Sequence, residues 1–199
     1  MNALTNGLYD IPFGRLPAIV TYLERTAPVA EPPAPLPAGV AISAVERPRA
    51  DWYRAIYRRV GDDWLWSDRL RLTDAALQDL LDQPERRLLL VTRGEEEIGF
   101  AELEPPSEAS VEIVYFGLVK EAAGAGLGRA LMRAALVAAF RPGVDRVWLH
   151  TCNHDDPGAL AFYDRMGFRA YAQKIEIGDD PRLTGLIPRH AAPHVPLHG

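Results

Sequence analysis

Ser110 to Phe140 reads SVEIVYFGLVKEAAGAGLGRALMRAALVAAF, a strand, a glycine-rich turn and a helix without interruption. Val111 to Val119 is rich in β-branched and aromatic residues at a length suited to a buried strand, and Glu112 is its only charge. Gly124, Gly126 and Gly128 follow, and then Leu127, Leu131, Ala134 and Ala138 recur at helical spacing. A helix entered through such a turn leaves unpaired N–H groups at its first turn, where the helix dipole adds partial positive charge. That combination suits an anion, phosphate above all. Glycine lets an oxygen reach the backbone and permits positive φ; a plain connecting turn is the alternative. A dinucleotide fingerprint begun at Gly124 and Gly126 needs a third glycine where Arg129 stands, and Gly-Lys-Ser/Thr is absent, so both nucleotide motifs fail on spacing.

The stretch resembles motif A of the GNAT superfamily, the GCN-five-related N-acetyltransferases, whose pattern is Gln/Arg-x-x-Gly-x-Gly/Ala. Gly126-Leu127-Gly128 and the continuation Arg129-Ala130-Leu131-Met132 fit it, while Ala123 replaces the basic or amide first residue. Val111-Glu112-Ile113-Val114-Tyr115 falls in the register where the resemblance implies a general base at Glu112. From Glu112 to Leu118 is roughly 20 Å of extended strand, room for a pantetheine arm anchored at the turn. Ala159 to Phe168, ALAFYDRMGF, resembles the family's Ala-x-x-Phe-Tyr-x-x-x-Gly-Phe segment, implying that Tyr163 protonates the departing thiolate. Asp156 stands where the family usually has asparagine, and Asn153 lies three residues earlier.

The resemblance implies an α+β (α/β three-layer) fold with a mixed central sheet flanked by helices, and acetyl-CoA as co-substrate, with no metal. Phe116, Gly117 and Leu118 on the strand then face the cofactor, with the Phe116 N–H on the oxyanion. Gly124, Ala125, Gly126, Leu127, Gly128 and Arg129 hold its pyrophosphate. The implied reaction is direct attack by a primary amine of an unidentified small-molecule or peptide acceptor on the thioester. A non-catalytic acyl-CoA-binding sensor or scaffold is the alternative, suggested by Ala123.

With 199 residues and 48% hydrophobic content, the chain can bury one sizeable core. Twenty-two basic against 27 acidic side chains give −5, which disfavours nucleic acid and mildly favours an amine-bearing partner. The single cysteine, Cys152, excludes an internal disulfide and fits a reducing cytosol. No apolar stretch reaches membrane length, so a cytoplasmic protein without membrane partners is expected.

Three segments are expected. Residues 1–37 form an N-terminal extension. Ala18 to Leu23 is its strand candidate, free to add to a sheet edge in this chain or in a homodimer, and Pro28 to Pro37 is extended polyproline. Residues 38–178 form the acetyltransferase domain. It runs through a strand at 39–45, a helix over 49–60, and a helix capped by Thr73. The hairpin 87–102, a strand at 146–151, a helix over 157–166 with Asp156 as N-cap, and a closing strand at 171–177 follow. Trp64 and Trp66 sit in an unusually aromatic connection; the resemblance implies that they line an acceptor site, and capping the core is the alternative. His150 is either a proton relay at a strand end or a structural histidine. Residues 179–199 form a loosely ordered tail, whose prolines deny His190, His194 and His198 the helix that would gather them on a metal.

Overall fold

The computed structural model describes residues 5–29 and 35–199; Pro32 and Pro33 of the expected polyproline segment lie outside them. A seven-stranded mixed sheet carries the molecule. Its strands are β1 (Arg15–Arg25), β2 (Val40–Ala44), β3 (Arg87–Arg93), β4 (Glu96–Leu103), β5 (Ser110–Leu118), β6 (Arg146–Cys152) and β7 (Arg169–Asp179), in the order β2-β3-β4-β5-β6-β1-β7. All pairings are antiparallel except β5 with β6. The helices are α1 (Ala50–Gly61), α2 (Asp68–Arg71), α3 (Asp74–Leu81), α4 (Leu127–Ala139) and α5 (Ala159–Arg165).

Residues 40–140 form where their local patterns place them. Thr73 Oγ1 accepts from the Ala76 N–H at 3.2 Å and starts α3. Arg49 has no capping side chain, and Gln78 of α3 supplies the acceptor for the Ala50 N–H at 3.0 Å, so the two helices begin as one packed unit. Helix α1 turns Tyr53, Ile56, Tyr57 and Val60 inward. The buried stripe of α4 is Leu127, Leu131, Met132, Ala135, Leu136 and Ala139 rather than the expected line through Ala134 and Ala138, because the larger Met132 and Leu136 gain more by facing the core. Gly117 is where the sheet meets α1: a Cβ there would stand 2.6 Å from Val60 and 3.2 Å from the Trp66 ring.

The two chain ends depart from expectation. The N-terminal strand lies inside the sheet, paired on both sides, Val20 opposite Cys152 of β6 and Lys174 of β7. Ala18, Val20, Thr21 and Leu23 are buried accordingly. The segment from Asp180 is packed rather than loose. Arg182 is buried, makes a two-point ion pair with Asp180 (3.0 and 2.8 Å), and donates to the carbonyls of Val195 (2.8 Å) and Pro196 (3.1 Å). A proline-rich segment offers few N–H groups for a ladder, but its carbonyls remain, and one guanidinium gathers them. Ile187, Ala191, Ala192 and Val195 join the core as a result. No helix among the described residues is long and apolar enough to cross a membrane.

Candidate active site

The parallel pairing of β5 with β6 runs only from Ser110–Arg146 to Glu112–Trp148. Beyond that point β6 stays with β1 as far as Cys152, β5 stays with β4, and the two strands part. A cleft of about 930 Å³ opens between them. Val114, Phe116 and Leu118 line it from β5, Leu149, His150 and Cys152 from β6, and Phe162 and Tyr163 from α5. Leu16, Ala18 and Val20 of the inner N-terminal strand complete the far wall, a contribution that no local signal announced.

The backbone along the cleft follows from the β4 ladder. Val119 donates to the Ile98 carbonyl at 2.9 Å, so by the two-residue alternation of an antiparallel ladder Tyr115 and Gly117 also turn their N–H groups to β4. Phe116 and Leu118 then direct theirs into the cleft, where β6 no longer pairs. The glycine turn closes one end. Gly124 and Gly126 adopt positive φ (86° and 76°), and nothing lies within 4 Å of where a Cβ would be on either. Gly126 is the N-cap of α4 and offers no side-chain cap, which leaves the first-turn N–H groups to an outside acceptor. Gly124, Gly126, Gly128 and Arg129 line the cleft; Leu127 is buried beneath it and Ala125 is not part of its wall. Lys120 and Arg165, which the sequence did not single out, add positive charge to the lining.

A bulge sets the direction of Glu112. Glu102 pairs with Tyr115 but Leu103 with Ile113, so Val114 is an extra residue in β5. Neighbours on β4 face opposite sides, hence so do Tyr115 and Ile113, and Glu112 shares the face of Tyr115 although three residues separate them. On that face Glu112 meets His150, Oε1 to Nδ1 at 3.1 Å. The imidazole also leans on Tyr22, with ring centroids 5.5 Å apart. The hydrogen bond to Glu112 raises the His150 pKa above its usual value against the opposing effect of burial, with Asp155 and Glu176 adding to the rise.

Tyr163 lies on the other side of β5, edge-on to Phe116 (6.3 Å) and Phe168 (6.1 Å). Burial pushes its pKa well up, so the phenol holds its proton at neutral pH. Burial also pushes the Cys152 thiol up to about 11, which keeps the one cysteine in the cleft from acting as a nucleophile near neutrality. Trp64 and Trp66 both line the cleft. Trp66 is equally a core residue, 5.0 Å from Tyr115 and 6.1 Å from Phe100, whereas Trp64 meets His194 of the C-terminal segment at 5.5 Å and the Lys120 ammonium at 5.7 Å. Beside them Arg69 lies over the Tyr115 ring at 5.0 Å and is tied to the fully buried Glu102 at 2.8 Å, which Tyr53 and Arg86 also contact.

Two residues at the end of β6 behave differently from the spacing. Helix α5 begins at Ala159 with Gly158 as N-cap, two residues later than expected, because Asp156 closes a separate turn before it, its Oδ1 taking the Gly158 N–H at 2.7 Å and its carbonyl the Ala159 N–H at 2.9 Å. Asn153 serves the sheet, its Oδ1 accepting from Ile19 of β1 at 2.7 Å.

Comparison with known proteins agrees with this geometry. The family model described as "Acetyltransferase (GNAT) family" matches residues 50–168. A curated relative, mycothiol acetyltransferase of Salinispora tropica, is 33% identical over 162 residues, covering 75% of this chain and 50% of its own. Among solved structures, a GCN5-related N-acetyltransferase from Sphaerobacter thermophilus superposes with a TM-score of 0.60 at 18% identity, covering 83% of this chain and 53% of that one. One from Kribbella flavida gives 0.54 at 22%, covering 86% and 63%. The chain thus spans about half the length of the curated relatives it matches.

Proposed function

The chain belongs to the Acetyltransferase (GNAT) family, and from that premise we propose that it transfers an acetyl group from acetyl-CoA to a primary amine. The observation that carries the reading is the parting of β5 from β6 just beyond Glu112, with the Phe116 N–H turned into the gap and the glycine turn at its end. The open cradle over Gly124 and Gly126 fits a pyrophosphate, held by the first-turn amides of α4 with Arg129, Lys120 and Arg165 at hand. The pantetheine arm then runs along β5 as a strand would, and delivers the thioester to the Phe116 N–H.

An amine reaches the site as an ammonium ion, with a pKa of ~10 for a lysine-like group, and must lose a proton before it attacks. In this reading the Glu112 carboxylate is the source of general-base catalysis, directly or through a group bonded to it. The nitrogen lone pair forms the C–N bond, the Phe116 N–H stabilises the oxyanion, and the C–S bond breaks. The leaving thiolate takes a proton from Tyr163, which burial keeps protonated. Cys152, also kept protonated, leaves direct attack as the route rather than an acetylated cysteine. Much of the rate comes from holding the two reactants in line.

The acceptor is a small-molecule or peptide amine. The likeness to mycothiol acetyltransferases makes a mycothiol-related amine the first to try. The test is coenzyme A release from acetyl-CoA with pooled amines, for the wild type, Glu112→Gln and Tyr163→Phe. Expected is turnover that falls at least about tenfold in each variant, with acetyl-CoA affinity by calorimetry unchanged. Tight acetyl-CoA binding without turnover for any amine would replace the enzyme by an acyl-CoA sensor.

A further inference from the structure

Glu112 and His150 are unequally placed. The Glu112 side chain is 13% exposed and does not line the cleft, whereas His150 is 42% exposed and does. The imidazole therefore stands between the carboxylate and the place where an acceptor nitrogen would arrive. Glu112 meets the ring at Nδ1, which directs the other nitrogen, Nε2, away from the carboxylate. The ring's angle is fixed on its flank by Tyr22 at 5.5 Å and Trp148 at 6.5 Å.

We propose that His150 is the group that takes the proton from the acceptor ammonium, on Nε2, and that Glu112 acts through it as a positioning residue that fixes the Nδ1–H tautomer. This rests on the acetyltransferase reading and deepens it. The ammonium N–H bond breaks, its proton goes to Nε2, and the imidazolium is stabilised by the Glu112 carboxylate on the opposite nitrogen. The freed lone pair forms the C–N bond to the thioester carbon. As the tetrahedral species collapses, the C–S electron pair leaves on sulfur, which takes the Tyr163 proton. The nitrogen sheds its second proton, which restores Tyr163 through water, and His150 releases the first to solvent. The balance is one amide, one thiol and one proton.

The charges facing His150 come from three directions: Glu112 on β5, Asp155 just after β6, and Glu176 on β7. On β1, Tyr22 carries the Lys174 ammonium over its ring at 4.4 Å. Three carboxylates against one screened ammonium favour the protonated ring. The neutral base is needed for catalysis, so acceptor kcat/KM should rise with pH through a value above that of an ordinary histidine. Removing the Glu112 charge should move that rise to lower pH.

The experiment has two arms. Imidazole 15N NMR of the wild type is expected to show the Nδ1–H tautomer above the His150 pKa and a lower pKa in Glu112→Gln. An Nε2–H tautomer would overturn the proposal, since no lone pair would then face the cleft. In the kinetic arm, His150→Gln is expected to lower acceptor kcat/KM about 10²- to 10³-fold at unchanged acetyl-CoA KM. His150→Ala should regain activity with added imidazole, which a merely structural histidine would not do. If His150→Gln keeps the wild-type rate and pH profile while Glu112→Gln loses both, Glu112 is the direct base and the proposal fails with the acetyltransferase reading intact. A wild type that binds acetyl-CoA and never turns over removes that reading and this one together.

Discussion

The two halves of the sheet are built in opposite ways. Strands β2 to β5 come from chain neighbours, a hairpin extended on either side, with α1, α3 and α4 laid on from adjoining sequence. On the other side of the cleft, β6, β1 and β7 bring together residues far apart in the chain, such as Ile19 with Ile175. The first half supplies the strand and turn suited to the cofactor, and the second supplies His150 and the far wall. A site at the seam of a local and a non-local half depends on both.

Proline tests this most severely. Thr21 lies on β1 between two partners, while Ala44 lies on the edge strand β2 with its N–H on the open side, since its neighbour Val45 is the one that donates across the ladder, to Leu88. Thr21→Pro is expected to abolish the folded state by circular dichroism, because an inner strand has no free side for the missing N–H. Ala44→Pro should leave a folded protein; equal damage from both would break the comparison.

The next largest effect falls on Arg182. Replacing it by alanine leaves Asp180 buried without its cation and should cost about 3–5 kcal/mol. At this chain length that is a drop on the order of 10 °C in the melting temperature. Removing the exposed Arg169, paired with Asp164 on the surface, should cost less than about 1 kcal/mol. Burial pushes the Asp180 pKa up, but its bonds to Arg182 outweigh that and leave it below the usual carboxylate value. A depressed folded pKa gives stability that is present above the unfolded value, about 3.9, and is lost as pH falls through the lower folded one. The wild type should therefore lose stability below about pH 4 more steeply than Arg182→Ala, by thermal melts across pH 3–7.

Smaller again is Gly117→Ala in the local half. Its methyl would meet Val60 at 2.6 Å, and the strain should cost about 1–3 kcal/mol. Trp66 would have to yield as well, so acceptor KM should rise more than acetyl-CoA KM in steady-state kinetics. An unchanged protein would show that α1 has room to move off the sheet.

The local half was legible because its signals are periodic and adjacent: the β-branched run of β5, the glycines before α4, Thr73 before α3. Glu112, Tyr163 and the glycine turn could be picked out from motif register; the structure puts Tyr163 and the turn on the cleft, and Glu112 behind it against His150. The place of β1 was not legible, since the β-branched and aromatic run from Ala18 to Leu23 says that a strand exists but not that β6 and β7 close around it. The bulge at Val114 leaves no mark in composition, yet it turns Glu112 toward His150. The tail misled because proline was read only as a helix breaker, whereas its carbonyls are what Arg182 collects.

Of the seven strands of this sheet, β1 leaves the ribosome first, but β6 and β7, the two that flank it, are made last. More than a hundred residues must emerge before either edge of this strand can be satisfied, while β2 to β5 can pair as they appear. The strand forming the far wall of the cleft must wait longest for its partners, so the completed cleft marks a sheet whose first and last strands have met.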